Sequence, residues 1–174
     1  MNKEYLTLAF YKSEYGGVIG KLINWWTKYD KYTWRKTANR FNHVELIFSD
    51  GMSFSSQEKK YSDGSPAGVR LKKIKYSHPE RWLFVRFPLV CSEKRVRNKA
   101  ESILGAKYDW KGILLYQFLP FGLEDANSWY CSECTSWALY LEPYKLNPNN
   151  MFDKVIQYVI DENMGNESFP QVPF

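Results

Sequence analysis

The chain opens on an extended apolar segment, Glu4–Phe10, and then changes period. Across Gly17–Tyr29 the residues Val18, Ile19, Leu22, Ile23 and Trp26 recur at helical spacing and predict a first helix. From His43 to Ser49 the pattern alternates, with Val44, Leu46 and Phe48 on one face and His43, Glu45 and Ile47 on the other, as a strand covered on one side requires. Asp50-Gly51 reads as a two-residue turn into a second strand, Met52–Gln57. Lys59–Ala67, with its Ser-Asp-Gly-Ser-Pro run, reads as a loop, and Gly68–Ile74 and Arg81–Phe87 are rich enough in branched and aromatic residues to be strands. An antiparallel sheet of four to five strands is expected.

After Pro88 the period becomes helical. Val96, Ala100, Ile103 and Leu104 share a face, with Gly105 where a helix would end. Asp109 is placed to cap a short helix through Leu115, Phe118–Asn127 reads as a loop, and a helix is expected from Cys131 to Glu142, stopped by Pro143. A last helix over Asn150–Asp161 carries Phe152, Val155, Ile156, Val159 and Ile160 as one stripe, and Glu162–Phe174 reads as a loosely held polar tail. Strands first and helices afterwards, without repeats, predict a single α+β domain over residues 1–174 with the sheet packed on helices.

Composition narrows the function classes. A chain of 174 residues buries about 70% of its unfolded surface, enough for a core without disulfide staples. No apolar run is long enough for a transmembrane segment. The net charge of +5 is spread among acids and apolar residues with no base-stacking motif, which points to solvated faces and no specific nucleic-acid partner. Three cysteines cannot all pair within the chain, and MNKEYLTLAF lacks the plan of a signal peptide. A cytoplasmic or otherwise reducing compartment with free thiols is therefore expected.

Those thiols suggest where chemistry resides. Ser128-Trp-Tyr-Cys-Ser-Glu-Cys passes from a loop into a helix, which puts Cys131 in the first turn, where unpaired N–H groups and the helix dipole favour a thiolate. The amides of Cys131 and Ser132 would then face the oxyanion of a tetrahedral intermediate. The imidazole candidates are His43 and His78; His78 sits before Pro79 in a polar loop and reads as solvated. His43 opens a strand with Glu45 on its own face, which reads either as a base with its carboxylate or as a strand-end histidine beside a surface acid. Cys134 makes a C-x-x-C with Cys131, the plan of a thiol oxidoreductase, but only helical sequence follows it. Cys134 reads equally as a buried helix residue beside Trp137 and Ala138, and Cys91 as packing. No metal or cofactor is expected, because the remaining Cys and His stand at no ligand spacing. Aromatic content is 18%, and Phe121, Trp129 and Tyr130 flank the nucleophile closely enough to wall a substrate groove.

Asn42-His43-Val44-Glu45-Leu46, Gly68-Val69, Leu104-Gly105-Ala106-Lys107-Tyr108-Asp109 and Tyr130-Cys131-Ser132-Glu133 together resemble the circularly permuted NlpC-like cysteine hydrolases, the YiiX/YebB/LRAT-like branch of the papain-like fold. The resemblance runs from about Leu6 to Leu141, and histidine before cysteine is the order that permutation implies. It implies a permuted papain-like fold, Cys131 as nucleophile and His43 as general base. It further implies action on an amide, thioester or ester bond of a peptide, a peptidoglycan fragment or an acyl lipid. For the third member, Glu45 shares His43's face whatever the turn length; a two-residue turn would put Glu58 opposite His43, and a one-residue bulge would substitute Gln57. Glu133 reads instead as a first-turn acid that complements the helix dipole. Two other classes stand beside hydrolase or acyltransferase: a thiol oxidoreductase, and a non-catalytic binding module on the same fold.

Overall fold

In a computed structural model of the chain, residues 3–15, 40–58, 67–109, 128–142 and 145–164 are described. Five strands form one antiparallel sheet: β1 (Tyr5–Lys12), β2 (Phe41–Ile47), β3 (Met52–Gln57), β4 (Gly68–Lys73) and β5 (Trp82–Pro88), in the order β4-β3-β2-β1-β5. The described helices are α1 (Glu93–Glu101), α2 (Cys131–Ala138) and α3 (Pro148–Asn163). The expected helix over Gly17–Tyr29, all but the first residue of that from Asp109 through Leu115, and most of the expected loop at Lys59–Ala67 lie outside the described residues, as do Phe118–Asn127 and the tail after 164.

Alternation builds the core on one face of the sheet. Leu8 pairs with Leu46 and Phe10 with Val44, and with Phe54 and Phe87 these side chains are fully buried. Helix α2 covers β2 and β3, while α3 supplies Met151, Phe152, Val155 and Tyr158. The stripe expected on α3 is rotated accordingly, so that Ile160 is exposed. On α1, Val96 and Ala100 are buried as expected, but the helix ends at Glu101 and Leu104 faces solvent.

Two departures bear on the site. Between β1 and β2 the register jumps from Tyr11↔His43 to Lys12↔Phe41, leaving Asn42 as an extra residue. That bulge lets Phe41 bury against Phe10 and Phe152 (ring centroids 5.3 and 4.7 Å) although strict alternation from Val44 would turn it outward. Fully buried Asn149 anchors the same strand start: its Oδ1 accepts from the N–H of Arg40 and Phe41 at 2.8 and 3.0 Å, and its Nδ2 donates to Phe41 O at 3.1 Å. The β2–β3 turn also differs from a two-residue turn. Leu46 faces Phe54 and Ile47 faces Ser53, and Phe48 N–H bonds Met52 O at 2.9 Å across the loop Ser49-Asp50-Gly51. Gly51, at φ +79°, takes the left-handed position of that loop, so the register differs by one from the pairing that opposed Glu58 to His43.

Helix α2 also ends earlier than Pro143 would impose. Tyr140 turns into the left-handed region (φ 60°), Tyr140 N–H bonds Trp137 O at 3.1 Å, and Leu141 N–H reaches Ser136 O at 2.9 Å, a Schellman closure that buries Leu141.

The edge strand β4 is tied to the segment that follows α1. Val69 N–H donates to Ala106 O at 2.8 Å and Gly105 N–H to Val69 O at 3.0 Å. Gly68, at φ +120°, lies so close that a Cβ would collide with the Ala106 carbonyl, whereas a Cβ at Gly51 would meet open space. Gly68→Ala is therefore expected to cost at least about 2–3 kcal/mol and Gly51→Ala about 1 kcal/mol, read from urea unfolding midpoints at unchanged slope.

Candidate active site

The N-terminus of α2 is held in place before any chemistry is considered. A short parallel pair, β6 (Lys107–Tyr108) with β7 (Ser128–Trp129), leads into it, and Trp129 O accepts from Ser56 Oγ at 2.7 Å and Asp109 N–H at 3.3 Å. Tyr130 precedes the helix, and its N–H donates to the Glu133 carboxylate at 3.4 Å. Glu133 thus acts on its own helix start, in line with its reading as a first-turn acid. Ser132 is fully buried, with its hydroxyl bonded to Leu146 O, so the residue after the nucleophile is fixed by its side chain.

Cys131, 4% exposed, lies close enough to His43 for its charge and a side-chain hydrogen bond to act on the imidazole. His43 Nε2 lies 2.8 Å from Glu45 Oε1. The sequence brought Glu45 only to the same face, about 7 Å along the strand; in the structure the two side chains lean together and bond. Burial alone would push His43 toward its neutral form, but the negative charge and hydrogen bond of Cys131, joined by those of Glu45, raise its pKa to about 10. Glu45, whose side chain is 2% exposed, is held below the usual carboxylate range: burial opposes its charge, and the His43 hydrogen bond and the Arg70 cation outweigh burial.

Arg70 was not singled out from the sequence. From β4 it places Nη1 2.9 Å from Glu45 Oε2 and bonds Oε1 through Nη2. One cue was available, an arginine within a strand that starts with the tightly packed Gly68-Val69. Tyr108 is the second addition. Burial, with the charges of Cys131 and Glu58 next, pushes its phenol well above the ordinary range. The third is an aromatic wall on the His43 side of the sheet. Trp82 lies 6.3 Å from His43 and 4.9 Å from Tyr11, ring centre to ring centre, and Tyr76 packs on Trp82 and Phe84 at 5.1 and 5.4 Å. Its signal was the paired register, since Trp82, Tyr11 and His43 form one row across β5, β1 and β2.

The residues expected to wall a groove divide. Tyr130 is buried and half-buried Trp129 rests on Trp137 at 5.2 Å, so both are packing beside the nucleophile, while Phe121 lies outside the described residues. Cys134 is fully buried, and its thiol donates back to Cys131 O at 3.2 Å; burial, and then the neighbouring Cys131, push its pKa well up. Cys91 packs against the core, and His78 is exposed beside Glu80. Among the described residues no three Cys, His, Asp or Glu side chains are grouped to hold a metal ion, and no helix is long and apolar enough to cross a membrane.

Comparison with known protein families, with curated proteins and with solved structures finds no match to this chain. The reading of the site therefore rests on its own geometry. Replacing Cys131 by alanine removes the largest influence raising His43, so the imidazole pKa is expected to fall from about 10. An NMR titration of the two histidine rings measures it, and an unmoved His43 would deny the contact with Cys131.

Proposed function

We propose that this protein is a cysteine hydrolase or acyltransferase that acts on an amide, thioester or ester bond through an acyl-enzyme on Cys131. The observation that carries the reading is Cys131 at a helix N-terminus beside His43, whose Nε2 lies 2.8 Å from the buried Glu45 carboxylate. The permuted NlpC-like arrangement is part of the same proposal. It is supported by the chain order, with the histidine on β2 ahead of the cysteine on α2, and by α2 packing directly on that sheet.

Each group has a task. Cys131 Sγ attacks the carbonyl carbon and forms a C–S bond while the π pair moves onto oxygen, toward the N–H groups of Cys131 and Ser132. Collapse of the tetrahedral intermediate breaks the bond to the leaving nitrogen, oxygen or sulfur, which takes the proton held by His43. In the second half His43 accepts a proton from water, the resulting hydroxide adds to the thioester, and Sγ departs; an amine or alcohol in place of water gives acyl transfer. Glu45 fixes the ring throughout.

Trp82, Tyr11 and Tyr76 beside His43 favour an apolar acyl chain, or a peptide with hydrophobic side chains, over a small polar substrate. The thiol-oxidoreductase reading is disfavoured by Cys134, which is enclosed and bonded to its own helix backbone. A disulfide between these residues would have to break that arrangement.

Iodoacetamide at substoichiometric dose is expected to label Cys131 well before Cys91 and Cys134, as read by peptide mass spectrometry, and His43→Ala is expected to slow that labelling at least about tenfold. Equal labelling of the three thiols would remove the case for an activated nucleophile.

A further inference from the structure

Glu45 is the oddest residue in the molecule by burial, a carboxylate 1% exposed in the middle strand of five, on the face opposite Val44 and Leu46. Two strands away, on β4, stands Arg70. Strand spacing separates their backbones by about 10 Å, and Ser55 on β3 lies between them, paired with Arg70 and placed across from Glu45 by the β2–β3 register. Ser55 is small and fully buried, and its hydroxyl turns aside to bond Val44 O at 2.7 Å. The long side chains of Glu45 and Arg70 therefore meet over it. There the guanidinium takes both carboxylate oxygens, the fork geometry that arginine offers and lysine does not.

We propose that Arg70 is a positioning residue for the reaction: by clamping both oxygens of Glu45 it aims Oε1 at His43 Nε2, and by balancing that carboxylate's charge it lets His43 release its proton to the leaving group. The inference rests on the acyl-enzyme reading above. The groups that bear on Glu45 are His43 on its own strand and Arg70 on β4, with Tyr76 beyond β4 and Cys134 on α2 in its field. With one proton shared between Cys131 and His43 that pair is neutral, and Glu45 balances Arg70. Acylation of Sγ removes one negative charge, and His43 gives up one proton to the departing group. The acyl-enzyme is then neutral as well, with Glu45 and Arg70 paired. Without Arg70 the same step would leave a buried carboxylate uncompensated beside a neutral imidazole, and His43 would hold its proton instead.

The test is made in the full chain carrying Cys131→Ala, so that no thiolate acts on the ring, with the His43 titration followed by NMR. Adding Arg70→Gln is expected to tighten His43's hold on its proton about tenfold, because a cation near the ring is lost while Glu45 stays. Arg70→Lys, which keeps the charge but not the fork, is expected to bring the titration most of the way back toward the parent. A titration unmoved or weakened by Arg70→Gln overturns the proposal, as does a lysine variant that behaves like the glutamine one. Should Arg70→Gln fail to fold, Arg70→Met takes its place in the same comparison. If neither folds, Arg70 is a folding requirement and the proposal falls. Because the readout is a proton on His43 in a chain without the Cys131 thiol, it fails or succeeds separately from selective labelling of that thiol.

Discussion

A carboxylate with its side chain 2% exposed is costly unless every lone pair facing the protein is satisfied and its charge is met. Glu45 meets that condition through one imidazole and one guanidinium, and much of the surrounding structure follows from it. Arg70 must come from the strand beyond the neighbour of β2, the residue between must be small, and His43 must turn its Nε2 inward. Removing either partner leaves a buried charge without its match, so the pair and its partners stand or fall together.

The sheet supplies this at modest cost because its two faces do different jobs. On one face Leu8, Phe10, Val44, Leu46, Phe54 and Phe87 pack under α2 and α3 and fix the register of β2 against its neighbours. On the other, the same register lines Trp82, Tyr11 and His43 in one row, with Ala9 and Glu45 in the next. The Asn42 bulge and the Asn149 clamp keep the start of β2 anchored to the core without turning His43 toward it. Helix α2 closes the arrangement, since its position on β2 and β3 is what brings Cys131 to His43.

Local alternation carried the fold far: β3 was bounded correctly at Met52–Gln57, and the strand signals near Glu4–Phe10, Gly68–Ile74 and Arg81–Phe87 each correspond to an observed strand. Ends were harder, because they depend on backbone conformations that periodicity does not encode. The left-handed turn of Tyr140 ends α2 ahead of Pro143, and the left-handed Gly51 adds a residue to the hairpin loop. The pairing of Cys131 with His43 was foreseeable because the chain has only three cysteines and two histidines and one of each was expected at an element's start, although β2 begins two residues earlier, at Phe41. Arg70 was not, since it reaches Glu45 from a segment far away in sequence, and the pairing of β3 with β4 could not be counted through the intervening loop. An aromatic wall was expected at Phe121, Trp129 and Tyr130, and the rings observed beside His43 come from across the sheet.

The most direct test of the central claim is the time course of acyl transfer from p-nitrophenyl acetate, followed by intact-protein mass spectrometry and peptide mapping. A Cys131–His43–Glu45 site predicts a transient single acetyl adduct on Cys131, preceded by a burst of nitrophenol and lost in both Cys131→Ser and His43→Ala chains that retain the fold. Acetylation spread over Cys91 and Cys134, or an adduct on Cys131 that forms equally fast without His43, would contradict it.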